Sequence, residues 1–502
     1  MRNKLLARNT VASLLTQVVT LICGFILPRF FLQHYGSEVN GLVSSISQFL
    51  SVISFLELGV GAVVQSALYK PLADRNREQV SKVMASANRF FRRLASILLA
   101  YVLFLLVVYP LMIEHSFGFL YTAALIAAIS ISSFAQYYFG IVNSLLLTAD
   151  QRGYIQYNAQ TITIILNTII CIVLIQAGGS IQLVKLASSL IYLIRPIVLR
   201  FYIDKRYQIN WKIQYQEEPI QQKWNGVAQH VAAVVLDGTD TIVLTMFSNL
   251  SDVSIYSVYF LVVKGVKTVF LSLTNGIQSL MGELWAKQEI PELNELFDWT
   301  EWVIHTGATF VFGVTAVLIV PFVRVYTNGI HDANYIQPLF AALIVAANAV
   351  HCLRLPYNIM ILAAGHYKQT QNNYIVAAVV NIVVSVLAVK AWGLIGVAIG
   401  TLLAMGYQTV WMALYDSKNL IRWPFAKFLK QIAVDVITVV VCCVASCAFT
   451  MTSVSYVNWV INAIEVAIVW LVFVIIINLI FFREKVQRVF SGLKANKQKI
   501  NS

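Results

Sequence analysis

Apolar stretches long enough to cross a bilayer recur along almost the whole of this 502-residue chain. Crossing about 30 Å of hydrocarbon takes roughly 20 apolar residues in a helix, and no open strand or loop can do it, because its backbone polar groups would find no partners. Windows of this kind fall near 10–32, 39–69, 94–113, 118–147, 157–177, 183–203, 227–248, 253–286, 300–323, 335–364, 373–390, 393–415, 431–450 and 458–482. The expected fold class is therefore an all-α polytopic membrane protein of about 14 transmembrane helices. Composition agrees: 59% of residues are hydrophobic and 12% charged, against about 25% charged in soluble domains.

The amino-terminal run extends past twenty apolar residues without a small-x-small cleavage site, so it is expected to stay as the first helix. Most of the 36 lysines and arginines fall in loops and flanks on the side of the amino terminus. The other side keeps Lys185, Arg324 and Lys390, with Arg29 at the end of helix 1. That asymmetry places both termini in the cytosol. It also accounts for the net charge of +13 without nucleic acid as a partner, since no soluble domain accompanies it. The basic tail after Phe482 is expected to meet anionic membrane lipids. The external turns are short, the longest being TNGIHDANYIQ, and none could fold as a catalytic domain.

The six cysteines, Cys23, Cys171, Cys352, Cys442, Cys443 and Cys447, all lie in apolar spans with no CxxC spacing. Packing is expected of them, and no metal or other resident cofactor is expected.

A shift of 214 relates two distant parts of the chain. It lays TADQRGYIQYNAQTITIILNT onto LAAGHYKQTQNNYIVAAVVNI, matching Asn158 with Asn372 and Asn167 with Asn381, and it also lays Gly179 on Gly393 and Val39 on Val253. One shift serving two places predicts two six-helix lobes in a parallel, pseudo-two-fold repeat, followed by two extra helices. The expected domains are an amino-terminal lobe (1–203), a cytosolic linker (204–224), a carboxyl-terminal lobe (225–416), helices 13 and 14 (417–482) and a basic tail (483–502).

Charges inside the spans are costly, about 2.5–3.5 kcal/mol each on insertion scales, and usually face a partner or water. Asp237 and Asp240 on helix 7, and Lys264 and Lys267 on helix 8, stand three apart, so each pair is expected on one helix face. The lysines could grip an anionic diphosphate, or neutralise the two aspartates. Asp237 and Asp240, and more weakly Glu57, could couple transport to Na+ or H+. Asp435 is expected to be wetted near a cytosolic helix end, and Glu465 is a further weak candidate. On helix 10, His351 and Arg354 share a face in NAVHCLRLPYN, where Pro356 should kink the helix. Arg354 suits phosphate or could cap the freed backbone. Arg29 could face the cavity or snorkel. Asn167 and Asn381 are expected to join helices, and the aromatic stretches QYYF and IYSVYF to pack, with sugar stacking as the alternative.

Several blocks carry a family resemblance. GSEVNGLVSSISQFLSVISFLELGVGAVVQSALYKPLADRN, DTIVLTMFSNLSDVSIYSVYFLV and LAAGHYKQTQNNYIVAAVVNIVVSVLAVKAWGLIGVAIGTLLA stand in the order found in bacterial polysaccharide-biosynthesis (Wzx-like) flippases, which the chain resembles. That family belongs to the multidrug/oligosaccharidyl-lipid/polysaccharide exporter superfamily. The resemblance implies two lobes around a cavity that opens alternately to each side of the bacterial cytoplasmic membrane. The implied cargo is an undecaprenyl-diphosphate-linked oligosaccharide, with polysaccharide polymerase and glycosyltransferases of the same pathway as partners. Ile255 departs from the family's usual glycine at that turn. The alternatives are a cation-coupled multidrug antiporter of the same superfamily and a membrane glycosyltransferase or polymerase. An enzyme is not expected, because no extramembrane platform accompanies the buried charges.

Overall fold

The computed structural model describes residues 2–53, 60–113, 116–220, 227–421, 424–451, 453–489 and 491. They are helical almost throughout: α1 Arg2–Ser51, α2 Val60–Ala73, α3 Arg77–Met112, α4 Phe119–Ala135, a π-helical turn Gln136–Gly140, α5 Ile141–Ala149, α6 Gly153–Gln176, α7 Ile181–Tyr192, α8 Ile194–Tyr207, α9 Val227–Phe247, α10 Leu250–Lys287, α11 Ile290–Tyr326, α12 Pro338–Leu353, α13 Leu355–Ala363, α14 Tyr367–Trp392, α15 Leu394–Asn419, α16 Phe425–Ser446 and α17 Tyr456–Phe481.

Among the described residues, 12 helices are long and apolar enough to span a membrane. The first expected span and the start of the second share the continuous α1, where Gly36 (φ 81°, ψ 177°) breaks the helical backbone in a region open to glycine and unfavourable to other residues. The seventh is the 21-residue α9, of which several side chains lie outside the described set. Helices also run past the apolar windows. α3 begins at Arg77, where the Asn76 side chain accepts a bond from the Gln79 amide at 3.0 Å and so satisfies one of the amides the first turn leaves open.

The chain forms two compact units, Met1–Ser254 and Ile255–Ser502. In the first, α1 lies along α6, and α4 along α7, around a core that includes Leu42, Ile46, Phe91, Leu98, Leu125 and Leu146. In the second, α14 and α15 form a tight hairpin. A Cβ on Gly396 would come within 2.4 Å of the Ala388 backbone, and one on Gly400 within 2.2 Å of Ser385 Oγ. Small residues let membrane helices approach this closely, and Asn381 then bonds Thr401 across the seam at 2.9 Å. Asn167 in α6 is likewise buried, accepting from the Cys171 thiol at 3.5 Å. α16 and α17 pack on α11 around the fully buried Trp470, whose indole donates to Ser446 at 2.9 Å.

Element ends reproduce the 214-residue shift. The carboxyl end of α3 maps onto that of α11 (112 + 214 = 326), that of α5 onto that of α13 (149 + 214 = 363), and the start of α6 onto that of α14 (153 + 214 = 367). Asn40 and Ser254, which share a register position at this shift (40 + 214 = 254), are hydrogen-bonded at 2.8 Å within the first unit.

Candidate functional site

Two distorted helices position the polar chemistry, one in each unit. In the second unit, α12 stops at Leu353 and α13 starts at Leu355, with Arg354 as the single joining residue. Pro356, in the first turn of α13, has no amide hydrogen and crowds the carbonyl four residues back, so the helix cannot run straight through. Arg354 is 5% exposed. Its Nη2 lies 3.1 Å from His351 Nδ1. A guanidinium can only donate, so His351 accepts here through Nδ1 as a neutral ring with its proton on Nε2.

From α10, Lys267 is 5% exposed and joins this group: its charge and that of Arg354 both act on the His351 ring and on Cys352. Arg354 also acts on Tyr374 of α14, whose hydroxyl donates to Asn358 at 2.5 Å. Two further polar side chains, Asn373 on α14 and Gln408 on α15, are 1% and 0% exposed, and their amides have no hydrogen-bond partner among the described residues. The hairpin register that pairs 381 with 401 sets 373 opposite 409, and Thr409 bonds the Val350 carbonyl at 3.3 Å. Lys267, His351 and Arg354 thus form one group, and Asn373 and Gln408 are buried polar side chains on α14 and α15 of the same unit.

Lys264 does not join them. It is exposed, with Nζ 5.9 Å from the Phe260 ring centroid. Three residues rotate a helix by about 300°, so the two ammonium groups stand about 60° apart on one side of α10, Lys267 buried and Lys264 exposed. Asp240 is buried on α9 at 4% exposure. The Asp237 side chain and Glu57 lie outside the described residues, and Arg29 is half-buried on α1.

In the first unit the corresponding distortion is the π-helical turn Gln136–Gly140, closed by a bond from the Ile141 amide to the Gln136 carbonyl. Such turns are rare and concentrate at functional sites. Gly140 leaves the space that the Gln136 side chain fills, since a Cβ there would lie 2.6 Å from its Oε1. The turn opens on a cavity of about 490 Å³ lined by Ser47, Ser51, Ser132, Ser133, Gln136, Tyr137, Tyr192 and Arg195, with Leu50 and Ile129. Arg195 follows the break between α7 and α8 at Leu193 and precedes Pro196. Its Nη2 is 3.5 Å from Ser144, and its buried Nε has no hydrogen-bond partner among the described residues. By sequence alone, Arg195 falls among the basic residues on the side of the amino terminus. The pairing Arg195–Pro196, matching the Arg354–Pro356 spacing to within one residue, was the signal that could have found it.

Other expectations resolve simply. Asp435 is not wetted: it is 6% exposed and 2.7 Å from His305 Nδ1. Glu465 is exposed on α17. In IYSVYF, Tyr256 stacks on Phe260 and Tyr259 donates to the Tyr335 carbonyl at 2.7 Å, both packing roles. All six cysteines are free thiols. Cys171, Cys352 and Cys442 are buried, whereas Cys447 is exposed rather than packed.

The fold resembles that of solved membrane transporters. The chain superposes on the lipid II flippase MurJ in an inward closed conformation with a TM-score of 0.69 at 13% identity, over 95% of this chain and 99% of that one. A variant of the Vibrio cholerae MATE transporter VcmN matches at TM-score 0.58 and 12% identity, over 84% and 99%. An outward-facing multidrug resistance MATE family transporter of the MOP superfamily matches at 0.55 and 13%, over 85% and 96%. At such identities the likeness is one of fold. No protein-family model matches the sequence, and no curated protein matches it.

Proposed function

We propose that this chain is a flippase that moves a polyprenyl-diphosphate-linked oligosaccharide from the inner to the outer leaflet of the bacterial cytoplasmic membrane. The cycle is alternating access, both termini face the cytosol, and the product feeds cell-surface polysaccharide assembly by a polymerase and glycosyltransferases. The observation that carries this reading is the buried Lys267–His351–Arg354 group. Two cationic side chains in a low-dielectric layer attract an anionic cargo strongly. Arginine's planar fork suits a phosphate, and the lysine adds a compact charge.

The hydroxyl-lined cavity beside Arg195 supports the same reading from the first unit. Serine, glutamine and tyrosine side chains offer both donors and acceptors, as sugar hydroxyls require. Lowering the cost of carrying a diphosphate and a glycan through hydrocarbon is the whole of the required catalysis. The cationic group also disfavours export of cationic drugs, the alternative that shares this fold. The test is a vesicle assay in which a fluorescent polyprenyl-diphosphate sugar is scored for appearance in the opposite leaflet. The reading stands if purified protein speeds that exchange, and Lys267→Ala with Arg354→Ala abolishes it. Equal exchange in protein-free vesicles, or uptake of cationic dyes in its place, would reject it.

A further inference from the structure

The π-helical turn of the first unit has a second face. Gln136 and Tyr137 border the hydroxyl-lined cavity, together with Ser132 and Ser133 of α4 and Tyr192 of α7. Phe139, with Ile131 and Phe134 of α4, borders a separate space of about 280 Å³, completed by Leu99 and Val102 of α3 and by Leu193 at the α7–α8 break. One wall, built of α4, the turn and the break, thus divides two spaces of opposite chemistry.

The smaller space is apolar. Its serine, Ser130, is buried and returns its hydroxyl to the Ala127 carbonyl at 2.9 Å, so it makes no demand on a ligand. Val102 and Ala135 are buried in the lining, while Leu99 and Phe139 are exposed at its rim. An apolar recess holds no ordered water, and one that opens among the apolar residues of a membrane span takes up hydrocarbon.

The residues at one end decide whose hydrocarbon. Arg92 stands seven residues before Leu99 on α3, two helical turns and about 10 Å nearer the amino-terminal end, on nearly the same face. Its Cζ lies 4.7 Å from the Tyr138 ring centroid. Tyr138 in turn stacks on Phe134 at 5.6 Å and meets Phe139 edge-on at 4.6 Å, so a single ring joins the guanidinium to the recess. Among the described residues the N–H groups of Arg92 and of the exposed Arg93 make no hydrogen bond or ion pair. Arg89, a turn earlier, is already held 4.9 Å from the Tyr215 ring. The apolar run of α3 begins at Leu94, which sets Arg92 and Arg93 at the level where a span meets lipid headgroups.

We propose that the recess and the Arg92–Arg93 pair form a binding site for an anionic phospholipid, with an acyl chain in the recess and the headgroup phosphate on the guanidinium groups. Two cations at headgroup level favour an anionic over a zwitterionic lipid, and arginine's planar fork matches phosphate. A chain in the recess backs the wall that carries Gln136, Tyr137 and the α7–α8 break, so occupancy steadies the hydroxyl-lined cavity and speeds exchange. That effect rests on the transport reading above; the lipid binding itself does not.

Two measurements separate them. In native mass spectrometry of the purified full chain, phosphatidylglycerol should bind at least tenfold more tightly than phosphatidylcholine with the same acyl chains. Arg92→Ala with Arg93→Ala should remove that preference, each basic residue near the membrane surface contributing about fivefold. Leu99→Trp, which fills the recess from its exposed rim and keeps both arginines, should weaken binding several-fold and serves if the double variant does not fold. Equal binding of the two phospholipids, or phosphatidylglycerol binding unchanged in either variant, overturns the site. Undecaprenyl phosphate displacing phosphatidylglycerol at equal concentration overturns the assignment to a phospholipid. In vesicles, exchange should run several-fold faster in phosphatidylglycerol than in phosphatidylcholine, and Leu99→Trp should lose that dependence. Dependence that survives in Leu99→Trp overturns the regulatory role, whereas phosphatidylglycerol retained by a protein that moves no lipid-linked sugar rejects the transport reading and leaves the site in place.

Discussion

The π-helical turn of the first unit and the α12–α13 break of the second occupy the same register. Gly140 maps onto Arg354 at the 214-residue shift (140 + 214 = 354). The causes differ: room made by a glycine for Gln136 in one, a proline without an amide hydrogen in the other. The chemistry differs too, since the turn opens on serines, Gln136 and Tyr137, while the break carries a buried guanidinium bonded to His351, on which Lys267 also acts. The comparison teaches that the position of a helix distortion and the charge placed on it are separable. A break frees backbone and widens a gap, and the side chains lining it set the chemistry independently.

The largest effect expected from breaking this contrast is on the charged side. Lys267→Ala with Arg354→Ala should lower lipid-linked sugar exchange at least a hundredfold at unchanged membrane level, since each charge-assisted contact is worth about 1.5–3 kcal/mol. Exchange in vesicles, normalised to protein by immunoblot, checks it. Moving the charge tests separability more sharply: Arg354→Gln, which gives the break the neutral chemistry of the π turn, should cost about tenfold or more, and Arg354→Lys less.

On the hydroxylic side, Arg195→Gln should reduce exchange by about tenfold by removing the one cation that lines that cavity among the described residues, read in the same assay. Gly140→Leu should displace the Gln136 side chain and straighten the turn. A loss of exchange several-fold, with melting temperature shifted by only a few degrees, would separate that local change from misfolding. The smallest effect is expected at Lys264→Ala. Its ammonium is exposed, and exposed charges contribute about 0–1 kcal/mol, so exchange should change less than about twofold. A loss there equal to that of Lys267→Ala would restore the paired reading.

Much of this architecture was legible because membranes impose a local rule. Whether a stretch can span depends on its own apolar length, and a repeat of element ends follows from matched asparagines and glycines such as Asn167 with Asn381 and Gly179 with Gly393. Pro356 announced the break at Arg354 in the same local way. The site was only partly legible. Lys264 and Lys267 have the same residue type, the same helix and nearly the same depth, and nothing in their spacing says that one is exposed and the other 5% exposed. Asp435 looked like a wetted helix end because its partner, His305, lies 130 residues away.

By itself, then, the sequence determined that this chain is a polytopic helical membrane protein built on an internal repeat, with cations and carboxylates inside its spans. Tertiary structure alone decided which of those charges are buried, which meet, and that Arg195 borders a cavity. The physical reason is one of range. Spanning and kinking are settled by neighbours within a few turns of helix, whereas burial and electrostatic partnership are settled by whichever other helices pack alongside, and no short window of sequence contains them.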